Sequence, residues 1–391
     1  MRKEEKFFLQ LARGIVFKEE ADSLGDLLLQ SEKEWEYFKR LLIHHELVTL
    51  AYPVLRSFSG AIPQDLETFL KNNYYCSLLH CQQVLKEFLE ISAAFEKAGV
   101  GLVPIKGVAF LEDIYAEFPA RSMADVDVLV KEDDFRKAEE IISGLGFRKE
   151  LYGLKEEYWL KDQYHIAFHA REKKQINFLE VHWSLDYKRR GENVLGELWG
   201  RTRRITAQGK SFISLSCEDI FFTLALHHRR FGKPLCFKNI LDLGLLFKRY
   251  GGVFDWGYVL RQAQRYRLHA AAYYSLAAVS YGLGMEFPDS LWKAFKLPGW
   301  KKRAIRNFVS GEMFDRREKK VFLKSHFLLY DSIWEPVGYI ISIPQEQFAK
   351  FYGLPAYAKK TRVLFRIRFL YILFRSIKAL VTREANPSDY D

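Results

Sequence analysis

The stretch Met123-Ala124-Asp125-Val126-Asp127-Val128-Leu129-Val130 constrains this chain more than any other. Two acids and Leu129 alternate with valines, the period-two signature of a β-strand in which every second side chain shares a face. Residues two apart on a strand lie roughly 6.6 Å apart, so Asp125 and Asp127 project into one pocket while Val126 and Val128 pack behind them. Two like charges placed together need a counter-cation. Such a pair either binds a divalent metal or suffers raised pKa values, and hard oxygen ligands with water and phosphate as further partners favour Mg2+.

The chain can bury such a strand. Its 391 residues imply two or three packed units, and with 49% apolar and 16% aromatic residues it is neither disordered nor fibrous. Residues 6 to 97 read as helical, with Trp35, Phe38 and Leu42, then Leu47, Leu50 and Val54, at three-to-four spacing, and Pro53 and Pro63 dividing the segments. The glycine-bounded apolar run 99–105 suits a buried strand, and 108–115 a helix. After the acidic strand, Asp133 or Asp134 is placed to cap a helix through Phe135, Ala138 and Ile142, ending at Gly144 or Gly146. Residues 165–170 and 176–183 flank a polar turn and predict an antiparallel hairpin. Beyond Arg190 the texture is helical, with a capped start at Ser216-Cys217-Glu218-Asp219 and a helix 239–250 stopped by Gly251-Gly252.

Several residues are placed to serve the acidic strand. Glu180 and His182 share one face of the 176–183 strand, which makes Glu180 the candidate third acid of a two-metal site. Lys106 and Gly107 form a turn where free backbone N–H groups and a positive charge suit a phosphate, and Arg121 and Ser122 are candidates for further phosphate oxygens. Arg121 has an alternative as one half of a structural salt bridge. His182 reads as a hydrogen-bonded structural histidine, and His165 and His169, about 13 Å apart along one strand, do not make a zinc site together. His227 is a weaker candidate for lining the cleft.

Net charge is +11, concentrated at the C-terminal end: eight cations between positions 359 and 383 meet no Asp or Glu. Such a segment suits phosphate, RNA or an anionic bilayer. Arg362, Arg366, Arg368, Arg375 and Lys378 fall all round a helical wheel, which favours a packed helix with snorkelling cations over a clean amphipathic one. Cys76, Cys81, Cys217 and Cys236 include no CxxC pair and read as reduced thiols. No run approaches about 18 consecutive apolar residues, and Glu4, Glu5, Gln10 and Arg13 interrupt the N-terminus unlike a signal peptide. A cytoplasmic protein, at most peripheral to a membrane, is expected.

Ile105-Lys106-Gly107, the run from Arg121 to Val130 and Glu180-Val181-His182-Trp183 together resemble the DNA polymerase beta-like nucleotidyltransferase superfamily. More narrowly, they are similar to a bacterial nucleotidyltransferase family found beside polysaccharide and peptide-modification genes, whose helical surroundings match at 41–55, 218–227, Leu241-Asp242-Leu243 and Asp255-Trp256. The resemblance implies transfer of a nucleoside monophosphate from an NTP to an acceptor hydroxyl with two Mg2+ ions. Asp125 and Asp127 become metal ligands, Glu180 a third ligand or base, and Lys106 and Gly107 the phosphate-gripping turn, joined by Arg121 and Ser122. The superfamily's usual Gly-Ser or Gly-Gly turn is replaced here by Gly107-Val108, for which Lys106 is the substitute.

Pattern and resemblance together give an α+β fold: a small mixed-sheet nucleotidyltransferase core at 96–190, embedded in helical regions at 1–95, 191–300 and, with the basic segment, 301–391. The acceptor is left open among small molecule, saccharide, peptide and RNA. Two alternatives stand beside this reading: a toxin-like tRNA nucleotidyltransferase, and a catalytically impaired nucleotide-binding scaffold of a biosynthetic complex.

Overall fold

The computed structural model describes residues 1–116, 119–187, 196–229, 236–312, 314, 325, 327–372 and 374. Residues 117–118 and 188–190 of the expected core, and Arg375, Lys378 and Arg383 of the basic segment, lie outside the described residues.

Helices α1 (Lys3–Val16), α2 (Glu32–His44), α3 (Val48–Leu55) and the 34-residue α4 (Gln64–Lys97) fill the N-terminal region, as the apolar spacing requires. Ser31 starts α2 through a reciprocal cap, its hydroxyl accepting from the Glu34 amide at 3.3 Å while the Glu34 carboxylate accepts from the Ser31 amide at 2.9 Å. Pro63 is the N-cap of α4, whereas Pro53 lies inside α3 rather than at its break.

The central sheet runs in the order β1-β2-β5-β4-β3, with β1 (Val103–Pro104), β2 (Val126–Leu129), β3 (Phe147–Glu150), β4 (His165–Ala170) and β5 (Phe178–His182). Among the described residues only β2 and β5 pair in parallel, so the sheet is mixed as expected. The hairpin read at 165–183 is the antiparallel pair β4 and β5. The strand read at 99–105 shortens to the two residues of β1, an edge strand whose Pro104 has no N–H to give. Helices α5 (Phe135–Gly144) and α6 (Glu156–Asp162) connect the strands; Asp134 is the N-cap of α5 but makes no side-chain capping bond.

Residues 203–214, expected to be helical, instead form a hairpin of β6 (Arg203–Ala207) and β7 (Lys210–Ser214). Its turn residues Gln208 and Gly209 have φ of 49° and 74°, the left-handed pair of a type I′ turn. Helices α7 (Cys217–His228), α8 (Phe237–Tyr250), α9 (Trp256–Arg265), α10 (His269–Leu283), α11 (Asp289–Ala294) and α12 (Gly299–Glu312) follow. Ser216 caps α7 by accepting from the Asp219 amide at 3.2 Å, and Gly251 ends α8 as the sequence indicates. Three further helices, Trp334–Ile341, Gln345–Phe351 and Lys359–Arg366, lie towards the C-terminus.

Two hydrophobic cores result. The first joins α1–α3 to α7, α8 and α10, so the N-terminal and later helices form one body around Phe7, Phe8, Phe221, Phe237 and Tyr273. The second packs the sheet against the C-terminal half of α4, from Cys81 to Phe95, with Val126, Val128, Leu179 and Val181 facing it. Helix α4 contributes to both, Leu66 and Leu70 to the first and Val84 and Phe88 to the second. Among the described residues no helix is long and apolar enough to cross a membrane.

Candidate active site

The register of β2 against β5 sets Asp127 beside Glu180 and Leu129 beside His182. Val128 and Val181 turn to the buried face, so the polar residues at alternate positions share the other one. Asp125 precedes β2 and is only partly buried, Asp127 is 3% exposed, and the Glu180 side chain 25%. One ligand oxygen from each of Asp125, Asp127 and Glu180 lies within 4.8 Å of the others. The structure thus brings together the three acids singled out from the sequence.

The counter-charge comes from two directions. The Ile105 amide donates to the Asp127 carbonyl at 3.1 Å, which places the next residue, Lys106, beside β2. Its ammonium sits 2.8 Å from Asp127 Oδ1, and His182 Nε2 lies 3.0 Å from the same oxygen. Across β5, His165 pairs in register with His182, and their rings stack at 4.9 Å with 23° between planes. Both imidazoles face Glu180 Oε2, at 3.7 Å from His165 and 3.5 Å from His182. Burial pushes the Glu180 carboxyl up, but the contact with His182 and the charge of His165 prevail over it and over Asp127, and hold Glu180 down to about 2. His182 and His165 therefore lie in one cluster with the acids, a placement the sequence alone does not indicate. Their signal was the alternation of His165 on one strand and Glu180 with His182 on the other, which became a constellation only once the register was known.

Gly107 sits at φ +52°, and a Cβ there would come within 2.9 Å of Met123 Sδ. The left-handed φ calls for a glycine at this turn, whereas the flexible Met123 side chain can give way. Residues 107–110 form a short 3-10 helix rather than the longer helix read over 108–115, and its N-cap Lys106 makes no side-chain cap. With Val108, Ala109 and Phe110 all buried, the segment serves as an apolar corner under the turn.

Arg121 is committed to a different partner. Its Nε and Nη2 donate to Asp242 Oδ1 and Oδ2 at 2.8 and 2.7 Å, and Tyr115 Oη donates to Asp242 Oδ1 at 2.8 Å. The Cys81 thiol of α4 donates to the Arg121 carbonyl at 3.1 Å, so the loop before β2 is held between α4 and α8. Ser122 Oγ in that loop is buried and makes no hydrogen bond among the described residues. His227 is buried on α7.

Three carboxylates converging beside a lysine at a glycine turn are the parts needed to hold a cation and a polyphosphate together. No curated protein and no solved structure matches the chain. A family model described as an uncharacterised nucleotidyltransferase matches residues 31–283, more than half of the chain, spanning the helices on both sides of the sheet as well as the acidic strand. The chain belongs to the uncharacterised nucleotidyltransferase family.

Proposed function

We propose that the protein transfers a nucleoside monophosphate from an NTP to an acceptor hydroxyl, releasing pyrophosphate, at the pocket formed by Asp125, Asp127 and Glu180. The observation that carries this reading is the convergence of the three carboxylates within 4.8 Å, beside Lys106. Family membership supports nucleotidyl transfer as the general reaction. The donor set fits Mg2+: three acidic oxygen ligands, hard and negatively charged, with Asp125 and Glu180 open enough to solvent to admit water and substrate. When bound, such ions lower the pKa of the acceptor hydroxyl and neutralise the leaving oxygen.

The chain's own residues then have distinct tasks. Lys106, 14% exposed, has the charge and the reach to exchange Asp127 for a phosphate oxygen, which supplies what the missing hydroxyl at Val108 would have given. The left-handed Gly107 lets the backbone approach that phosphate without a side chain in the way. Ser122 Oγ offers a further donor. His182 keeps Asp127 oriented through its 3.0 Å contact. The rival reading, NTP binding without turnover, draws on the same Lys106–Asp127 pair, which occupies one of the acids.

Thermal melting with each of the four NTPs, with and without Mg2+, tests the proposal. A ligand at a hundredfold excess over Kd stabilises by about 2.7 kcal/mol. A Mg2+-dependent shift with one NTP, lost in Asp125→Ala/Asp127→Ala, is the expected result; no shift with any NTP would defeat it, and a shift without pyrophosphate release on any acceptor would favour the rival.

The basic segment contributes a partner surface. Helix Lys359–Arg366 buries Thr361 and exposes Lys359, Arg362, Val363 and Arg366, and Ile367 and Leu370 continue the exposed apolar face at helical spacing. Apolar side chains interleaved with cations fit an anionic bilayer surface better than RNA, which offers no apolar phase for them. Cosedimentation with phosphatidylglycerol vesicles that falls in Ile367→Ser/Leu370→Ser supports this; equal retention on phosphatidylcholine vesicles, or binding to RNA alone, overturns it.

A further inference from the structure

We propose that His165, Glu180 and His182 form a second cation site, one that takes a transition-metal dication such as Zn2+ or Co2+ rather than Mg2+. One ligand atom from each of the three lies within 4.8 Å of the others. The spacing is the argument. Glu180 Oε2 stands 3.7 Å from His165 Nε2 and 3.5 Å from His182 Nε2, the nitrogen whose 3.0 Å contact with Asp127 Oδ1 the bound metal would replace. Both separations exceed the 2.7–3.2 Å of a good N–H···O bond. Ligands held at about 2.05 Å around a tetrahedral ion stand about 3.4 Å apart, much nearer to what is seen.

The fold presets this arrangement. His165 and His182 are register partners on neighbouring strands, their rings nearly parallel at 23°, and Glu180 precedes His182 on the same face. The surrounding aromatic wall limits the imidazoles: Tyr164 packs on both rings at 4.6 and 5.6 Å, and Trp159 meets His165 edge-on at 6.4 Å. Two nitrogens and one carboxylate favour Zn2+, Co2+ or Ni2+, whereas the adjoining Asp125, Asp127 and Glu180 set is all oxygen. Glu180 belongs to both clusters. A transition metal on the histidines therefore withdraws Glu180 from the acidic set and opposes binding of the Mg2+-NTP complex. That antagonism rests on the proposed function; the cation site does not.

Titration of the full chain with Co2+ in millimolar Mg2+, read by visible ligand-field absorption, tests the site. Wild type is expected to take up one Co2+ that Mg2+ does not displace, His165→Ala to bind it on the order of tenfold more weakly or worse, and Asp125→Asn to bind it like wild type. Equal binding by His165→Ala, displacement by Mg2+, or loss in Asp125→Asn would each overturn the proposal. A readout on unmutated protein guards against a folding defect: Zn2+, but not Mg2+, should protect His165 from diethyl pyrocarbonate, and equal labelling with and without Zn2+ counts against the site. If Co2+ binds as described while no NTP shifts the melting temperature, the proposed function fails and the cation site stands.

Discussion

The buried contact between Arg121 and Asp242 decides whether Arg121 serves the fold or the phosphate. Both side chains are closed to solvent, at 7% and 0% exposure, and the guanidinium meets both carboxylate oxygens. Burial opposes the guanidinium charge, and the Asp242 charge overcomes it and raises the Arg121 pKa, while burial and Asp242 together push the Tyr115 phenol well above its ordinary range. Removing one partner of such a pair leaves a desolvated charge and costs about 3–5 kcal/mol. Asp242→Leu also strands the Tyr115 hydroxyl, at about 1–3 kcal/mol for an unsatisfied buried donor. Arg121→Met should therefore lose about 4–6 °C in melting temperature and Asp242→Leu somewhat more. The double variant removes both charges, so it should recover much of that loss, with a coupling of about 2 kcal/mol or more. Urea melts of the four proteins give the cycle, repeated with Mg2+ and the NTP that wild type prefers. Recovered stability with the NTP shift intact makes Arg121 a clamp between the loop before β2 and helix α8. Singles that lose less than about 1 kcal/mol, or a double that is no more stable than the singles, would refute the energetic argument. A recovered double that no longer responds to NTP would return Arg121 to the phosphates.

Other consequences can be checked separately. Gly107→Ala should cost about 1–2 kcal/mol for its left-handed φ, plus a clash that Met123→Ala relieves, so a chemical melt of the double should recover only the steric part. Lys106→Met should weaken NTP binding by tenfold or more, measured by calorimetry; unchanged affinity would remove Lys106 from the phosphate grip. Burial lowers the His228 pKa from its ordinary value to about 4, against the pull of Asp242. A depressed histidine contributes stability that is fully present above pH 6.5 and lost as pH falls towards 4, so wild type should lose on the order of 2 kcal/mol across that window in excess of His228→Gln; parallel profiles would contradict it.

The parts of this site that were legible in the sequence are those a single strand dictates for itself. Alternation alone put Asp125 with Asp127 and Glu180 with His182, because a period of two is local and needs no knowledge of neighbours. The hairpin at Gln208-Gly209 was equally local, and the alternating runs on either side of a residue pair suited to positive φ were its signal, masked by the helical texture that follows. What sequence could not give was the match between strands. Asp127 and Glu180 meet through a parallel pairing that skips α5, β3, α6 and β4, and His165 meets His182 through a register that a one-residue slip would have turned to the other face. Arg121 illustrates the cost of that ignorance. Along the chain it stands next to Ser122 and the acidic strand, where a phosphate is the partner to expect; in the fold, α8 delivers Asp242 to it from 121 residues away. A carboxylate as buried as Asp127 requires a counter-cation. Which cation answers it was settled by topology: β1 runs antiparallel to β2 at the sheet edge, so Lys106 emerges beside Asp127, and the guanidinium closer in sequence is taken up by the helices.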